Sequence, residues 1–309
     1  MKILVTYNIP REPFQNLPQD WEITFPQGEA MNKDEIIRLL PEYDIMLAIF
    51  HAAIDREMID AGKKLKLISN YGVGYNNIDI KYAREKGIAV TNTPQAVNNP
   101  TAELTMALLL SAARRVAECN LRVRTEQEKM WGTMRNLGFG LEGKTLGIIG
   151  MGNIGKNVAR KAEAFGMHII YYNNRTEVPG YRRVELDTLL AESDFITLHT
   201  PLTPQTHHLI GARELCLMKP SAILINTARG AVVDEAALAN ALKNQLIAGA
   251  ALDVFEDEPH ITETLYGLNQ VVLTPHIGTG TIDARIAMAK EALDNIRNFL
   301  KGTPTNVVN

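Results

Sequence analysis

Length, composition and charge set the first limits on what this chain can be. It has 309 residues, of which 46% are hydrophobic and 22% charged, so it can form two domains with buried cores and is not a disordered chain. A net charge of −3 offers no basic surplus for binding nucleic acid or a membrane surface. The longest strongly apolar stretch, 104–113, is too short to span a bilayer.

The N-terminus and the two cysteines indicate a cellular compartment. The segment 1–7 resembles a short strand and lacks the apolar length of a signal peptide. Cys119 and Cys216 form no C-x-x-C pattern, so we expect neither a disulfide framework nor a zinc site, and no other metal site. These features favour a protein of the reducing cytoplasm.

The first third of the chain alternates short apolar runs with polar, helix-compatible stretches. The apolar runs predict β-strands at 3–6, 21–25, 45–49, 67–70 and 88–91. The stretches between them predict helices at 33–40, 56–61 and 78–86. Such alternation predicts an α/β domain with a parallel sheet covered on both faces.

A long apolar helix is predicted next. Asn99 followed by Pro100 favours a helix start, with Asn99 as the N-cap and Pro100 in the first turn. Residues 101–123 predict one helix, apolar on most faces in its first half, which we expect to be buried between domains or against a second subunit. Residues 124–143 predict a loop or arm.

The most informative motif is the G-x-G-x-x-G formed by Gly150, Gly152 and Gly155. An apolar run at 146–149 precedes it, and an amphipathic stretch and a second apolar run at 168–172 follow. Strand, glycine turn, helix and strand in this order are the context of a dinucleotide site, in which the helix N-terminus faces the pyrophosphate. A tight turn without a ligand is the alternative; the complete context favours dinucleotide binding.

The remainder of the chain continues the same alternation. Strands are predicted at 195–199, 222–226, 247–254 and 271–274, and helices at 186–191, 212–218 and 235–243. The last helix, 282–300, has a continuous apolar face at helical spacing, and we expect it to pack on the first domain. The predicted domains are therefore 1–98 with 283–309 for substrate, and 99–282 for NAD(P).

Three polar residues that follow predicted strands could carry the chemistry of a keto-acid reductase. Ligands of open α/β sheets bind at the carboxyl ends of strands, where Arg229, Glu258 and His276 are expected. An arginine pairs a carboxylate bidentately, and a histidine next to a carboxylate can donate a proton near neutral pH. Gly72 and Gly74 are expected to leave N–H groups for a substrate carboxylate.

Each of these residues also has a structural interpretation. Arg229 could be a surface turn residue, Glu258 a solvated loop acid and His276 a strand-end histidine with ordinary hydrogen bonds. Their joint position beside a nucleotide site favours catalysis. Among the other histidines, we expect three near the cofactor and three with structural roles. The first group is His199, His207 and His208, and the second is His51, His168 and His260.

Seven motifs spread over the whole chain resemble one family. They are NYGVGYNNID (70–79), TPQAVNNPTAELTMALLL (93–110), GIIGMGNIG (147–155), LHTPLTPQTHHLI (198–210), INTARG (225–230), ALDVFEDEP (251–259) and TPHIGTGT (274–281). The chain is similar to the D-isomer-specific 2-hydroxyacid dehydrogenases, in particular to the branch of glyoxylate, hydroxypyruvate and 2-ketogluconate reductases. The resemblance implies two Rossmann-like or flavodoxin-like domains with parallel sheets, of which the larger binds the dinucleotide.

The resemblance also implies roles for individual residues. His276 would be the acid/base, with Arg229 and Glu258 assisting. Substrate contacts would come from Val73, Gly74, Arg229 and His276. The implied cofactor contacts, besides the three motif glycines, are Thr105, Asn153, Ile154, Pro201, Thr206, Thr227, Ala228, Arg229, Asp253, His276 and Gly278. The family is usually dimeric, which agrees with an apolar helix at 101–123.

The function that follows is the NAD(P)H-dependent reduction of a small 2-keto acid to a D-2-hydroxy acid. A nucleotide-sensing, corepressor-like binding protein on the same scaffold and a short-type phosphoglycerate dehydrogenase are the alternatives. The sequence does not identify the keto acid.

The end of the second Rossmann strand bears on the choice of cofactor. NAD-binding units normally place Asp or Glu there to bind the ribose 2′-hydroxyl. This chain instead has Asn173, Asn174 and Arg175, so no carboxylate would repel a 2′-phosphate and Arg175 could pair with one. We expect NADP to be preferred; the alternative is that Asn173 binds the ribose hydroxyls and NAD is used.

Overall fold

The computed structural model describes residues 1–49, 52–126, 131–173 and 177–309. The chain divides into two compact units, one formed by Met1–Val97 with Thr279–Asn309 and the other by Asn98–Gly278. The chain returns to the first unit after Gly278, four residues before the predicted boundary at 282, because the turn that precedes the last helix belongs to the first unit. No described helix is both long and apolar enough to span a membrane.

The first unit is built on a five-stranded sheet in which every pair of neighbouring strands is parallel. In the order β2-β1-β3-β4-β5, the strands are β2 (Glu22–Thr24), β1 (Lys2–Val5), β3 (Ile45–Ala48), β4 (Leu67–Asn70) and β5 (Ala89–Thr91). Its helices are α1 (Lys33–Leu39), α2 (Arg56–Ala61), α3 (Ile80–Glu85) and α11 (Ile282–Leu300). Hydrophobic clusters cover both faces of the sheet, which explains the continuous apolar character of the central strands.

The last helix, α11, packs on the sheet of the first unit. Ala289 and Ile296 are fully buried in the cluster that includes Ile3 and Leu67, and the Ser69 hydroxyl donates to the Ala292 carbonyl at 3.2 Å. The predicted packing is therefore correct. The apolar face is buried only in its middle, because the terminal Ile282 and Leu300 are exposed.

The second unit has a seven-stranded sheet, also with parallel neighbours throughout. In sheet order, the strands are β12 (Val271–Leu273), β11 (Gly249–Leu252), β10 (Ile223–Asn226), β9 (Phe195–Leu198), β6 (Thr145–Ile149), β7 (His168–Tyr172) and β8 (Arg182–Arg183). Its helices are α4 (Asn98–Ala113), α5 (Val116–Glu126), α6 (Asn153–Glu163), α7 (Leu186–Glu192), α8 (Ala212–Leu217), α9 (Glu235–Lys243) and α10 (Glu263–Tyr266). The carboxyl ends of all seven strands therefore share one edge.

The prediction of one helix over 101–123 is wrong. The chain forms α4 and α5, and between them Arg115 adopts a left-handed conformation with φ 54°, which interrupts the helical path. Asn99 lies inside α4, where its amide donates to Glu103 Oε1 at 2.6 Å, so it is not the N-cap. Sequence pattern missed the break because Arg114 and Arg115 are both good helix formers.

The two helices differ in burial. Seven residues of α4 are buried, whereas α5 buries none. Residues 124–126 of the predicted arm belong to α5, and 127–130 lie outside the described residues. The amphipathic helix after the glycine turn, α6, ends at Glu163, and Phe165 beyond it is 45% exposed.

Candidate active site

The glycine turn between β6 and α6 is shaped by close backbone contacts. Gly150 has φ 98°, and a Cβ at this position would meet the backbone of His199 at 2.7 Å. A Cβ on Gly155 would collide with the carbonyl oxygen of Gly150, so the third glycine lets the helix lie close on the strand. Any side chain larger than hydrogen would displace these segments.

The same turn leaves space where a pyrophosphate would bind. An added Cβ on Gly152 would meet no atom within 4 Å, and Gly152 is the N-cap of α6, which begins at Asn153. The helix dipole and the N–H groups of its first turn favour an anion there. Gly152, Asn153 and Ile154 therefore fit a dinucleotide phosphate.

Asn173 is tied to the glycine turn. Its Oδ1 accepts a hydrogen bond from the Met151 N–H at 2.7 Å, and its carbonyl accepts one from Arg183 Nη2 at 2.9 Å. This hydrogen bond fixes which side of the amide carries the oxygen and which carries the NH₂. The predicted contacts Asn174 and Arg175 lie outside the described residues.

Arg229 follows β10 and is partly buried. Its Nη1 donates to the Ala228 carbonyl at 2.6 Å, and its own carbonyl accepts from Asn226 Nδ2 at 2.9 Å. Burial lowers the pKa of the guanidinium below its usual value, and the charge of Glu258 opposes this shift. An arginine nevertheless keeps its charge at physiological pH, so this site holds a cation.

Gly230 explains why the chain after Arg229 can lie so close to the loop that follows β11. A Cβ on Gly230 would fall on the backbone of Phe255 and Glu256. The residue must therefore be glycine for these two backbones to touch. Through this contact, the turn that carries Arg229 and the loop that carries Glu258 support each other.

His276 is presented by a turn that Asp253 organises. The Asp253 carboxylate accepts hydrogen bonds from the Thr274 hydroxyl at 2.7 Å and from the N–H groups of Ile277 and Gly278 at 2.8 Å each. Burial raises the pKa of Asp253, and these hydrogen bonds oppose the rise. Within the turn, His276 has φ 52°, a left-handed conformation that costs energy in a non-glycine residue.

Glu258 and His276 form a hydrogen-bonded pair. Glu258 Oε2 lies 2.8 Å from His276 Nδ1, and Glu258 Oε1 accepts from the Phe255 N–H at 3.1 Å. Burial by itself would raise the pKa of Glu258, but the hydrogen bond and charge of His276 outweigh it and hold this pKa below the usual value. Because an ionised carboxylate only accepts hydrogen bonds, Nδ1 carries hydrogen and Nε2 is the nitrogen that can exchange a proton.

The remaining predicted cofactor contacts lie near the carboxyl ends of the central strands or on α4. The Thr105 and Thr227 hydroxyls are 2.9 Å apart, and Thr105 donates to the Thr101 carbonyl at 2.8 Å. After β9, the Thr206 hydroxyl donates to the Pro201 carbonyl at 2.6 Å. These hydrogen bonds fix the shape of the edge on which the glycine turn opens.

The three histidines expected near the cofactor lie in the loop after β9. His199 Nε2 is 3.0 Å from the Thr197 hydroxyl, and burial lowers the pKa of His199 to about 3, so the ring is neutral. His207 and His208 stack at 4.0 Å, and His208 Nε2 lies 3.2 Å from Glu256 Oε1. His208 therefore lies beside the loop that follows β11.

The other three histidines were expected to be structural. His168 is an exposed residue of β7, and the exposed His260 lies 3.9 Å from Asp257. His51 lies outside the described residues. No cluster of three or more potential metal ligands occurs among the residues that the structure describes.

The loop after β4 in the first unit contains Val73 and Gly74. Asn70 Nδ2 donates to the carbonyls of Gly72 at 2.9 Å and Gly74 at 2.8 Å, and Asn92 Nδ2 donates to the Val73 carbonyl at 2.8 Å. The expectation that Gly72 keeps its N–H for a substrate is wrong, because this N–H donates to the Asn70 carbonyl at 3.0 Å. The amides instead orient the carbonyls of Gly72, Val73 and Gly74.

Three residues of the second unit were missed from the sequence. Arg183 lies next to Asn173. Glu235 binds the main chain of the loop that contains Glu258, and Glu256 of that loop binds the main chain of Glu235. Arg183 could have been found only from the register of β7 and β8, which pairs it with Tyr171. The two glutamates gave no signal, since each resembles a solvated acid near a helix start.

Comparison with known proteins agrees with the architecture. Residues 106–278 match the family model of the D-isomer specific 2-hydroxyacid dehydrogenase NAD binding domain. The chain is 46% identical to a glyoxylate reductase from Thermococcus litoralis, over all of this chain and 96% of that protein. These matches support the fold class predicted from the sequence.

Two solved structures are similar over almost their full length. One is a glyoxylate reductase from Paecilomyes thermophila, with a TM-score of 0.90, 36% identity and coverage of 99% of this chain and 98% of that one. The other is an NADPH-dependent glyoxylate/hydroxypyruvate reductase from Sinorhizobium meliloti in complex with NADP and malonate, with a TM-score of 0.88, 31% identity and coverage of 99% and 96%. With its glycine turn and its strand-end Arg229, Glu258 and His276, this chain belongs to the D-isomer-specific 2-hydroxyacid dehydrogenases and is an NAD(P)-dependent oxidoreductase that reduces 2-keto acids.

Proposed function

We propose that the protein reduces a small 2-keto acid of the glyoxylate, hydroxypyruvate or 2-ketogluconate type to the D-2-hydroxy acid. The observation that carries this proposal is the hydrogen bond between Glu258 and His276 in the unit that also contains the glycine turn and Arg229. Relatives named glyoxylate reductase support glyoxylate as the first substrate to test.

His276 is the proposed acid/base. Glu258 accepts the Nδ1 hydrogen at 2.8 Å, which orients the ring and stabilises the imidazolium. In reduction, His276 Nε2 gives its proton to the carbonyl oxygen while a hydride is added to the carbonyl carbon, and the imidazole is left neutral. In oxidation, the neutral Nε2 accepts the hydroxyl proton.

Arg229 is the proposed clamp for the substrate. A guanidinium can pair the substrate carboxylate with two parallel hydrogen bonds and can stabilise negative charge that develops on the carbonyl oxygen. The Asn226 side-chain amide donates to the Arg229 carbonyl, and Gly230 lies against the loop after β11; both contacts support a fixed position for Arg229. Val73 and Gly74 are the proposed additional contacts of the substrate carboxylate.

The proposed cofactor is NADP in preference to NAD, and it supplies the hydride. Asn173 stands where NAD-binding units place a carboxylate for the ribose 2′-hydroxyl, and a neutral amide does not repel a 2′-phosphate. The guanidinium of Arg183, 2.9 Å from the Asn173 carbonyl, adds a positive charge beside Asn173, and Arg175 is the second proposed contact of the 2′-phosphate. The unit Asn98–Gly278 would bind the dinucleotide, and the other unit is the proposed substrate domain.

The proposed assembly is a homodimer. The apolar residues Val116, Leu121 and Val123 of α5 are 50–58% exposed, and Trp131 and Met134 of the following segment are each 79% exposed. Large apolar side chains that are exposed along one stretch of chain are typical of an interface. A second copy of the chain would cover them.

The proposal is tested with a panel of 2-keto acids and both reduced cofactors. NADPH and NADH oxidation is followed with glyoxylate, hydroxypyruvate, 2-ketogluconate and a branched keto acid, and the configuration of the product is determined. We expect turnover of at least one short keto acid and a D-product. A protein that binds the cofactor and turns over none of them would be a nucleotide sensor, which would overturn the proposal.

A further inference from the structure

Glu235 is the first residue of α9, and it is only 7% exposed. The mechanism proposed above gives this buried carboxylate no role. Its Oε1 accepts a hydrogen bond from the Thr262 N–H at 2.7 Å, and its Oε2 accepts one from the Glu256 N–H at 3.1 Å. Burial of a carboxylate is costly unless such donors replace water. The side chain therefore binds the loop after β11 at two points.

The Glu256 side chain in turn binds the main chain of Glu235. Its Oε1 accepts a hydrogen bond from the Glu235 N–H at 2.6 Å, so each of the two carboxylates binds the main chain of the other residue. The same oxygen lies 3.2 Å from His208 Nε2. We call these reciprocal bonds of Glu235 with Glu256, together with the bond to Thr262, the carboxylate clamp.

The start of α9 gives the carboxylate clamp a fixed base. Asp234 caps the helix by accepting a hydrogen bond from the Ala237 N–H at 2.9 Å, and the Asp234 N–H donates to the Ile210 carbonyl at 2.9 Å. Leu238, one turn into the helix, is fully buried. Glu235 is therefore attached to a rigid element.

Glu258 lies between the two anchored residues of the loop. The clamp holds the main chain at Glu256 and at Thr262, and the Glu258 side chain reaches His276 from between them. A shift of about 1 Å in a catalytic group can reduce the rate by about 10²-fold. The distance from Glu258 to His276 therefore depends on the clamp.

We propose that Glu235 is a positioning residue of the reaction: through the carboxylate clamp, it holds the loop after β11 so that Glu258 meets His276. The inference rests on the proposed roles of Glu258 and His276. Glu235 does not touch substrate in this mechanism, and its effect on the rate passes through Glu258.

The first test is the variant Glu235→Gln. Glutamine keeps the size of the side chain but replaces one acceptor oxygen with an NH₂ group, which faces a backbone N–H and cannot accept from it. We expect kcat for keto-acid reduction to fall about 10-fold to 100-fold, given how strongly misplacement affects rates. The dissociation constant of NADPH should stay unchanged, and the pH profile of kcat should shift toward that of Glu258→Gln.

A double-variant cycle separates positioning from a general effect on the enzyme. If Glu235 acts through Glu258, the variant with both substitutions should be no slower than Glu258→Gln alone. Losses that multiply, or a reduced kcat with the wild-type pH profile, would overturn the inference. Asp257→Asn removes a carboxylate of the same loop whose side chain is 91% exposed, and it should behave as the wild type.

Hydrogen exchange tests the clamp independently of turnover. The Glu256 and Thr262 amides should lose protection in Glu235→Gln and keep it in Glu258→Gln; unaltered exchange in Glu235→Gln would overturn the clamp. A wild-type rate of keto-acid reduction in Glu258→Gln would instead overturn the catalytic role proposed for Glu258. If Glu235→Gln does not fold, Glu256→Ala, which removes the acceptor of the Glu235 N–H, is used in the same cycle, with the same expected non-additivity and the same contrary result.

Discussion

Glu258 Oε2 lies 2.8 Å from His276 Nδ1, although the two residues come from loops after different strands. Asp253 joins the two loops, since its carbonyl accepts from the His276 N–H at 2.9 Å and its carboxylate holds the turn that follows. Main-chain hydrogen bonds therefore position the proposed acid/base pair. It requires both loops to be held in place.

The pair makes reduction dependent on pH in a defined direction. The pKa of Glu258 is held below its usual value, so at neutral pH this residue is a carboxylate that stabilises the imidazolium of His276. Reduction needs the imidazolium and should fade as pH rises. In Glu258→Gln the imidazolium loses this stabilisation, and the fall of kcat/KM should move to lower pH. A pH profile identical to that of the wild type would remove Glu258 from the mechanism.

Arg229→Ala should lose most of kcat/KM while the affinity for NADPH changes little. Removal of one charge-assisted donor from a developing oxyanion reduces the rate by about 10² to 10³-fold. Steady-state kinetics and fluorescence titration of NADPH measure the two quantities. Arg229→Lys should recover little activity, because an ammonium cannot pair a carboxylate bidentately. Near-normal turnover in Arg229→Ala would contradict the assignment.

Cofactor preference can be tested with Arg183 of β8 and with Arg175, the residue that the sequence predicts to bind a 2′-phosphate. Arg183→Ala and Arg175→Ala should each weaken NADPH binding roughly tenfold or more, as expected for a lost charge-assisted hydrogen bond, with little effect on NADH. Titration with 2′,5′-ADP and 5′-AMP gives the same comparison without turnover. Arg182→Ala is the matched control, since Arg182 pairs with Glu192 at 2.7 Å. Equal effects on both cofactors, or a wild-type preference for NADH, would contradict NADP specificity.

Gly230→Ala should destabilise the protein and slow the reaction together. The added methyl group would fall on the backbone of Phe255 and Glu256, so either the Arg229 turn or the loop of Glu258 must move. Overpacking of this kind costs about 1–3 kcal/mol. The midpoint temperature of thermal unfolding and kcat should both decrease. Gly140→Ala is the control, because an added Cβ there meets nothing within 4 Å, and it should change neither quantity. If Gly230→Ala had the stability and kcat of the wild type, the close contact would be refuted.

The proposed dimer depends on the apolar residues of α5 and the segment after it. Leu121→Asp combined with Trp131→Ser should shift the protein from dimer to monomer in light scattering, because a charge and a polar group would enter the interface. Tyr266→Ser removes an apolar side chain that is 64% exposed elsewhere and should leave the mass unchanged. A monomeric wild type would refute the dimer.

The sequence alone determined the local elements of this protein. The strands β4 and β7 and the helices α2, α9 and α11 have the predicted bounds, because side-chain periodicity reports burial within a few turns of chain. The glycine turn was predicted from its motif and from the strand and helix patterns that flank it in the sequence. The strand-end positions of Arg229, Glu258 and His276 followed from the rule for parallel sheets.

Only the tertiary structure decided the contacts between segments that are distant in sequence. The carboxylate clamp joins Glu235 to Glu256, 21 residues apart, and Arg183 reaches Asn173 only because β8 pairs with β7. Hydrogen bonds of this kind depend on where two backbones meet, which side-chain pattern does not record. The break at Arg115 escaped prediction for a related reason, since the left-handed residue is stabilised by its surroundings, including the ion pair with Glu118.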